Sequence, residues 1–536
     1  MNGDEVAPLE PSGYTDGFAR AMLPPWPQWP ELVFDLPSLQ YPVRFNCAAT
    51  LLDTALAAGW SGRCALVEAA ERWTYGELAA RVDRIAHVLA ADLSLVTGNR
   101  VLVHGPNCLM TAACILAVIK AGMIAVPTMP LLRARELGAI VVKARVQAVL
   151  CADALRPEFT GMRDCPPVLC FDAGLAGAMA RHDAPFHAPD TAADDICLIS
   201  FTSGTTGVPK GTMHFHRDVL AICDCFPVHL LAARSDDIFI GTPPLAFTFG
   251  LGGLLLFPLR VGASAVLLDR PSPEALLAAI GHYGATVCFT APTFYRQMTA
   301  LAPGADVSRL TRCVSAGETL PAATRAAWLA ATGIDLIDGI GATEMLHIFI
   351  SAAGADVRPG ATGKPIPGYR ACILDDDGAV AGPGVVGRLA VKGPTGCRYL
   401  DDARQADYVW NGWNITGDAF EMDADGYFHY RARLDDMIIS AGYNIAGVEV
   451  EEALLGHPAV RECAVVGRAD AQRGQIVEAH VVLWNEAWAG EEMVLALQAF
   501  VRQQIAPYKY PRAIIFASQL PRTETGKLQR FKLRRH

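Results

Sequence analysis

A loop rich in glycine, serine and threonine occupies residues 202–211, and its composition suits it to hold an anion. The loop reads TSGTTGVPKG and directly follows an apolar run at residues 196–201. Glycines let backbone N–H groups turn toward an anion, hydroxyl groups add donors, and Lys210 adds a positive charge. The loop therefore predicts a phosphate site, although it lacks the GxxxxGK[ST] spacing of P-loop NTPases. Composition alone leaves a mobile surface turn as the alternative.

A second glycine-rich turn, residues 338–347, contains a hydroxyl next to a carboxylate. It reads DGIGATEMLH, with Thr343 directly before Glu344. Mg²⁺ is a hard ion that proteins usually bind through one or two carboxylates together with phosphate oxygens. The pair predicts a site for phosphate and Mg²⁺, with a solvated loop glutamate as the alternative.

Three further motifs are weak when each is taken alone. Asp418, in a Thr-Gly-Asp run, could accept hydrogen bonds from ribose hydroxyls or cap a turn. Arg433 and Asp435 lie in a charged stretch that is ordinary for a linker. Lys527 lies on a glycine-containing loop near the C-terminus, where a solvated surface lysine is the usual case.

The elements that must position these motifs follow an α/β pattern. Residues 73–89 predict an amphipathic helix, with Thr74 and Glu77 as its capping box. A helix is also predicted at 111–121, and apolar runs predict strands at 101–103, 124–126, 148–151, 196–201, 286–289 and 313–315. Alternation of strand, helix and strand predicts parallel sheet covered by helices.

The pattern changes toward the C-terminus. Residues 370–432 are dominated by short strands and turns of glycine, proline and aspartate. Beyond them, helices are predicted at 448–455 and 493–505, and strands at 463–466, 477–483 and 513–516. We therefore predict a large N-terminal domain, residues 1–432, with mixed and parallel sheets covered by helices plus a short-strand β subdomain. A small mobile α+β domain, residues 433–536, is predicted to follow.

Composition excludes several classes of protein. The chain has 536 residues, 52% of them hydrophobic, and a net charge of −10, which does not fit a binder of nucleic acid or anionic membranes. No secretory signal or membrane span is expected. Fifteen cysteines occur without a CxxC pair or a Cys/His cluster at zinc spacing, so we expect a reduced, cytoplasmic protein with cysteines in its core.

Together and in this order, the five motifs resemble the adenylate-forming superfamily of acyl-CoA synthetases, nonribosomal-peptide adenylation domains and beetle luciferases. The resemblance covers the chain from about residue 40 to its end. It implies an enzyme that activates a carboxylic acid with ATP and Mg²⁺ as an acyl-adenylate, with release of diphosphate. Coenzyme A then takes the acyl group and AMP leaves.

The resemblance also implies roles for single residues. Phosphate and Mg²⁺ would be held by Thr343 and Glu344, the ribose by Asp418 and Arg433, and Asp435 would be the hinge. Lys527 would be the catalytic lysine of the small domain. The remaining ATP-binding positions are Thr202, Ser203, Gly204, Thr205, Thr206, Gly207 and Lys210 in the phosphate loop, and Ala316, Gly317, Glu318, Asp338 and Gly339 at the adenine.

Within the superfamily, the sequence is most similar to aryl-CoA ligases of the 2-aminobenzoate (anthranilate) and benzoate type. Residues 338–349 and 244–253 carry this similarity, and residues 34–53 look more like the 2-aminobenzoate enzymes. Flat aromatic walls and glycine floors suit a planar ring. The implied acid-binding residues are Phe247, Thr248, Phe249, Phe257, Ile340, Gly341 and His347.

One departure from the family pattern and three alternatives remain open. Many relatives carry lysine where this chain has Ile439, which puts a thioester-step role at that position in doubt. The alternatives are a benzoate–CoA ligase, a stand-alone enzyme that loads a carrier protein, and a non-catalytic binding protein with the same fold. A monomer or homodimer with small-molecule substrates is expected.

Overall fold

The structure, a computed structural model of the chain, describes residues 9–202, 209–375, 377–440, 443–470, 473–505, 507–522 and 528–534. Six predicted site residues lie outside these ranges: Ser203, Gly204, Thr205, Thr206, Gly207 and Lys527. The backbone of Asp435 is described, but its side chain is not.

The α-helices are spread over the whole chain. They are α1 (Phe18–Ala21), α2 (Cys47–Ala57), α3 (Tyr75–His87), α4 (Leu109–Lys120), α5 (Ala134–Ala144), α6 (Ala176–Met179), α7 (His216–His229), α8 (Thr248–Leu251), α9 (Phe257–Val261), α10 (Pro273–Tyr283), α11 (Pro292–Thr299), α12 (Ala322–Thr332), α13 (Gln405–Tyr408), α14 (Gly447–Leu455) and α15 (Glu491–Gln504).

The strands before residue 366 build two large sheets. They are β1 (Cys64–Glu68), β2 (Glu71–Thr74), β3 (Arg100–His104), β4 (Ile124–Thr128), β5 (Val146–Cys151), β6 (Val168–Cys170), β7 (Ile196–Thr202), β8 (Lys210–Phe215), β9 (Ile238–Gly241), β10 (Ser264–Val266), β11 (Val287–Thr290), β12 (Arg312–Ser315), β13 (Leu336–Gly341), β14 (Ile348–Ser351) and β15 (Lys364–Pro365). A nine-stranded sheet has the order β15-β14-β13-β12-β11-β9-β10-β1-β2, and a six-stranded sheet has the order β6-β5-β3-β4-β7-β8. Both are parallel in the middle and antiparallel at an edge, which is common for sheets of this size.

Two five-stranded sheets follow. Their strands are β16 (Arg370–Leu374), β17 (Val386–Lys392), β18 (Val409–Trp410), β19 (Trp413–Met422), β20 (Phe428–Arg433), β21 (Ile438–Ser440), β22 (Tyr443–Ile445), β23 (Val460–Asp470), β24 (Gly474–Leu483) and β25 (Ala513–Phe516). Strands β16–β20 form an antiparallel sheet, and β21–β25 form the C-terminal sheet.

Helix α4 is a buried helix that packs against strands of both large sheets. Eleven of its twelve residues are buried, Lys120 included, so the helix is enclosed rather than amphipathic. Lys120 is tolerated there because its ammonium group donates to Asp83 at 2.5 Å. Residues of α2, α3, α4 and α7 join one apolar core with strands of both large sheets.

The predicted α/β architecture is confirmed, and so are most predicted elements. Helix α3 begins with the expected capping box, since Thr74 and Glu77 cap each other, although residues 73 and 74 belong to strand β2. The motif-bearing strands at 196–201 and 313–315 are present as β7 and β12. The division at residues 433–436 remains a prediction. Within the described ranges, no helix is both long and apolar enough to cross a membrane.

Candidate active site

A β-hairpin carries the predicted phosphate loop. Strand β7 is the parallel neighbour of β4 in the six-stranded sheet and pairs antiparallel with β8. Thr202 and Lys210 are partners in this register, so the two ends of the predicted loop are held next to each other. Strand β8 was not predicted, because its residues MHF give a short apolar run directly after a glycine-rich turn.

A short chain of hydrogen bonds links Lys210 to the second predicted motif. Its ammonium group donates to Tyr399 Oη at 3.2 Å, and Tyr399 Oη donates to Glu344 Oε1 at 2.5 Å. Tyr399 is 1% exposed and Glu344 is 8% exposed. Burial and the adjacent carboxylate of Glu344 raise the pKa of Tyr399 far above its usual value, so its hydroxyl stays a donor. Lys210, Glu344 and Tyr399 are far apart in the sequence, and the fold brings their side chains together.

The carboxylate of Glu344 has the properties of a Mg²⁺ ligand. It lies on a 3₁₀ turn, Thr343–Met345, which starts directly after β13 and its glycines and turns Glu344 inward. Tyr399 occupies Oε1, and among the described residues Oε2 has no hydrogen-bond partner. A buried carboxylate whose second oxygen has no partner among the described residues, and which Tyr399 links to Lys210, fits a site for Mg²⁺ and phosphate oxygens.

Unpartnered polar atoms lie at the carboxyl end of β12 and beside it on β13. Ser315 and Asp338 are register partners on these parallel strands. Ser315 Oγ and Asp338 Oδ1 are both buried, and neither has a hydrogen-bond partner among the described residues. Burial raises the pKa of Asp338 to about 7. The predicted adenine positions Ala316, Gly317 and Gly339 adjoin these two residues along the chain, and Gly317 has a φ of +88°.

Glu318 connects this edge to residues that precede the predicted catalytic lysine. Its carboxylate accepts from Thr293 Oγ1 at 2.6 Å and lies 3.7 Å from Arg522 Nη1. Arg522 also pairs with Glu462 of β23 at 3.0 Å. A β-bridge joins Arg522 to Leu528, so the residues on both sides of the segment that ends in Lys527 are paired with each other, and Arg522 lies beside Glu318.

Asp418 and Arg433, the predicted ribose pair, face each other across strands β19 and β20. They are register partners, and Arg433 Nη1 lies 3.2 Å from Asp418 Oδ1. Asp418 is buried, whereas the Arg433 side chain is about half exposed. A carboxylate held by an exposed arginine can accept hydrogen bonds from a diol while the arginine meets an anion.

His347 lies in a cage of phenylalanine rings. Its ring centroid is 4.5 Å from that of Phe257, 5.8 Å from Phe249, 5.4 Å from Phe226 and 6.4 Å from Phe289. His347 is 2% exposed, and neither ring nitrogen has a hydrogen-bond partner among the described residues. Burial lowers the pKa of His347 to about 3, so the imidazole is neutral at neutral pH.

Glycine 252 lets this cage close tightly. A Cβ at that position would lie 2.5 Å from His347 Cδ2, closer than carbon atoms approach. The other predicted acid-binding residues lie close to Phe249 or His347 along the chain. Phe247 precedes α8, Thr248 is buried at its first position, and Ile340 and Gly341 end β13.

Four residues of the site were missed from the sequence: Phe226, Phe289, Tyr399 and Arg522. Phe226 and Phe289 sit in an ordinary apolar helix and strand, where an aromatic residue predicts only core. Tyr399 lies outside the named strands, in an isolated bridge to Thr212, and is 55 residues after Glu344. Arg522 lies in the PRTETGK motif itself, and its position there was the one available signal.

Comparisons with known proteins agree on one family. The family described as AMP-binding enzyme matches residues 54–398, and its C-terminal domain, AMP-binding enzyme C-terminal domain, matches residues 449–527. A benzoate–CoA ligase of Thauera aromatica is 37% identical over 93% of this chain and 97% of its own length.

Two solved structures share the fold over nearly the whole chain. An anthranilate CoA ligase in complex with anthranoyl-AMP aligns with a TM-score of 0.88 at 32% identity, covering 93% of this chain and 98% of the other. A benzoate CoA ligase from Burkholderia xenovorans LB400 aligns with a TM-score of 0.84 at 32% identity, covering 92% and 100%.

Proposed function

The chain belongs to the AMP-binding enzyme family and is an AMP-forming acid–thiol ligase that uses ATP, Mg²⁺ and coenzyme A, and from that premise we propose that it is an aryl-CoA ligase. The proposed acid is 2-aminobenzoate first and benzoate second. The observation that carries this proposal is the cage around His347, three residues after Glu344. The acid and the phosphates of ATP would thus be held by neighbouring parts of one turn.

An aromatic acid suits the cage because its walls are flat. Phe249, Phe257 and Phe289 offer ring faces and edges, and aromatic pairs prefer offset or edge-to-face contact at such distances. Gly252 lets the imidazole pack directly against the backbone, where a Cβ would collide with His347 Cδ2. A straight aliphatic chain would fill such a slot poorly.

The neutral imidazole favours an acid with a donor on its ring. A buried nitrogen without a partner costs about 1–3 kcal/mol, and a ligand that pairs with it recovers that cost. The amine of 2-aminobenzoate supplies such a donor, and benzoate does not. The similarity to an anthranilate CoA ligase and to benzoate–CoA ligases supports both acids equally.

For the first half-reaction we propose that the carboxylate of the acid attacks the α-phosphorus of ATP and that diphosphate leaves. Bound Mg²⁺ supplies charge neutralisation at the phosphates, and Glu344 is the residue that would hold it. Lys210 donates to phosphate oxygens, Asp418 orients the ribose, and Lys527 holds the charge that develops during attack. Tyr399 fixes the carboxylate of Glu344 while this happens.

For the second half-reaction we propose that the thiol of coenzyme A attacks the acyl carbon and that AMP leaves. The hinge would be Asp435, and the division into domains 1–432 and 433–536 belongs to this proposal. Loading of a carrier protein is the alternative, and competition between coenzyme A and a carrier protein distinguishes them. A cytoplasmic location and a monomeric or dimeric state also remain predictions.

Exchange of labelled pyrophosphate into ATP tests the first half-reaction without coenzyme A. With 2-aminobenzoate we expect exchange in the wild type and a loss of about 100-fold or more in Lys527→Ala, since one donor to developing charge contributes about that much. Lys532→Ala, another lysine of the same C-terminal segment, is the matched control and should leave exchange unchanged. Absence of exchange with every aromatic acid in the wild type would refute the function, whereas full exchange in Lys527→Ala would refute only that residue's role.

A further inference from the structure

A buried cluster of two cysteines and one histidine lies outside the site described above. Cys47 Sγ is 3.9 Å from Cys197 Sγ and 3.2 Å from His216 Nδ1. Each of the three residues is at most 1% exposed. Their ligand atoms all lie within 4.8 Å of one another. We propose that Cys47, Cys197 and His216 form a zinc site.

Two of the distances between the ligand atoms are close to those that Zn²⁺ requires. With Zn–S near 2.3 Å and Zn–N near 2.0 Å, tetrahedral geometry puts two sulfurs about 3.8 Å apart and a sulfur and a nitrogen about 3.5 Å apart. The observed 3.9 Å and 3.2 Å differ from these values by a few tenths of an ångström. Small rotations of the side chains would close the difference.

The histidine is held in the tautomer that a metal ligand needs. His216 Nε2 lies 3.2 Å from Tyr14 Oη, and Tyr14 Oη donates to the Ile196 carbonyl at 2.9 Å. Nε2 therefore carries the proton, and the unprotonated Nδ1 lies beside Cys47 Sγ. The backbone N–H of Cys47 points at Nδ1 from 3.2 Å, and a bound ion would replace this contact. A partner that orients the second ring nitrogen is the usual companion of a histidine ligand.

Charge favours the same ion. Two thiolates and one Zn²⁺ sum to zero, so the occupied cluster adds no net charge to the core. The nearby carboxylates already have partners: Asp195 accepts from Ser12 and Gly13, and Asp218 Oδ2 pairs with Arg398. No fourth Cys, His, Asp or Glu ligand is present among the described residues, so a water molecule would complete the coordination.

The site would join three elements that are distant in sequence. Cys47 is the first residue of α2, Cys197 is the second residue of β7, and His216 is the first residue of α7. Strand β7 leads directly to the predicted phosphate loop. The ion would therefore anchor the base of the β7–β8 hairpin to the N-terminal part of the core.

A second cysteine pair in the same sheet provides a matched control. Cys151 and Cys170 have sulfurs 3.8 Å apart and both are buried. Among the described residues, this pair forms no candidate metal cluster. The sulfur–sulfur distance alone thus does not predict a metal, and the imidazole is the distinguishing feature.

The test measures metal in the full-length protein, purified without a histidine tag and dialysed with a weak chelator. Inductively coupled plasma mass spectrometry should find about one zinc per chain in the wild type. The zinc content should fall by tenfold or more in Cys47→Ala, Cys197→Ala and His216→Gln. The double variant Cys151→Ala/Cys170→Ala should keep its zinc. Cobalt exchanged into the wild type should give a thiolate charge-transfer band, a readout that does not depend on the folding of any variant.

Two results would overturn the proposal. Wild-type protein that holds no stoichiometric zinc and gives no cobalt–thiolate band would show that the cluster is ordinary core. A disulfide between Cys47 and Cys197 in protein purified without reductant would assign the cluster to redox chemistry instead.

Discussion

Replacing His347 with leucine separates the proposed role of its imidazole from the packing of its ring. In this proposal a ring nitrogen accepts a hydrogen bond from the 2-amino group of the acid. Loss of that acceptor leaves the amine buried without a partner, at a cost of about 1–3 kcal/mol. The ratio of kcat/KM for 2-aminobenzoate to that for benzoate should therefore fall about 5- to 150-fold. Steady-state pyrophosphate release with both acids measures the ratio directly.

The same substitution has a second, independent effect on stability. In the folded chain burial lowers the pKa of His347 to about 3, whereas the unfolded chain takes up a proton near the ordinary value of about 6.5. The contribution of neutral His347 to the free energy of unfolding is therefore fully present above about pH 6.5 and is lost as the pH falls toward 3. At pH 5 the loss amounts to about 2 kcal/mol, so His347→Leu should reduce the difference in unfolding free energy between pH 7.5 and pH 5 by about that much. Urea unfolding at the two pH values measures it.

His104 supplies the control for both effects. Burial lowers its pKa to about 4, and it lies on β3, away from the cage. His104→Leu should reduce the pH dependence of stability by a similar amount and leave the ratio between the two acids unchanged. If His347→Leu leaves that ratio unchanged while both acids are still turned over, the imidazole does not read the ring substituent, and the reasoning from its unpartnered nitrogens is refuted.

Two further substitutions test the positions of neighbouring groups. Tyr399→Phe removes the donor to Glu344 and should lower kcat for pyrophosphate release about tenfold or more, since hydrogen bonds to charged groups contribute about 1.5–3 kcal/mol. Tyr408→Phe, which removes a nearby buried hydroxyl that has no partner among the described residues, should leave kcat unchanged, and equal rates in the two variants would contradict the role of the first tyrosine. Gly252→Ala should lower kcat/KM for aromatic acids about tenfold or more, because its Cβ would displace the caged imidazole and a 1 Å misplacement can cost about 100-fold. Gly138→Ala is the control, because Gly138 is helical and a Cβ there would meet open space, so kcat/KM should stay unchanged. An unchanged kcat/KM in Gly252→Ala would contradict the tight cage.

Local signals in the sequence predicted much of the fold. The capping box of Thr74 and Glu77 depends on residues three apart, so it can be read without knowing the rest of the chain. Buried strands such as β7 and β12 are short apolar runs between turn residues, which is a signal of the same local kind. The short strand β8 was missed because nothing in its composition separates it from the loop before it.

The contacts within the site could not be predicted in the same way. Tyr399 meets Glu344 only because β13 and the chain around residue 399 are brought together by the fold. The cluster of Cys47, Cys197 and His216 joins positions up to 169 residues apart, so a search for zinc spacing does not find it. Motif order revealed the chemistry of the site, whereas long-range packing decides which side chains support it.

The most direct test of the account is pyrophosphate release with ATP and Mg²⁺ against a panel of acids, each with and without coenzyme A. The panel holds 2-aminobenzoate, benzoate, 2-hydroxybenzoate, 4-hydroxybenzoate, hexanoate and an amino acid, and the acyl-CoA product is identified by mass spectrometry. The account predicts the highest kcat/KM for 2-aminobenzoate, with benzoate next and multiple turnovers only when coenzyme A is present. Highest kcat/KM for hexanoate or the amino acid would contradict the aromatic cage around His347 as the acid site.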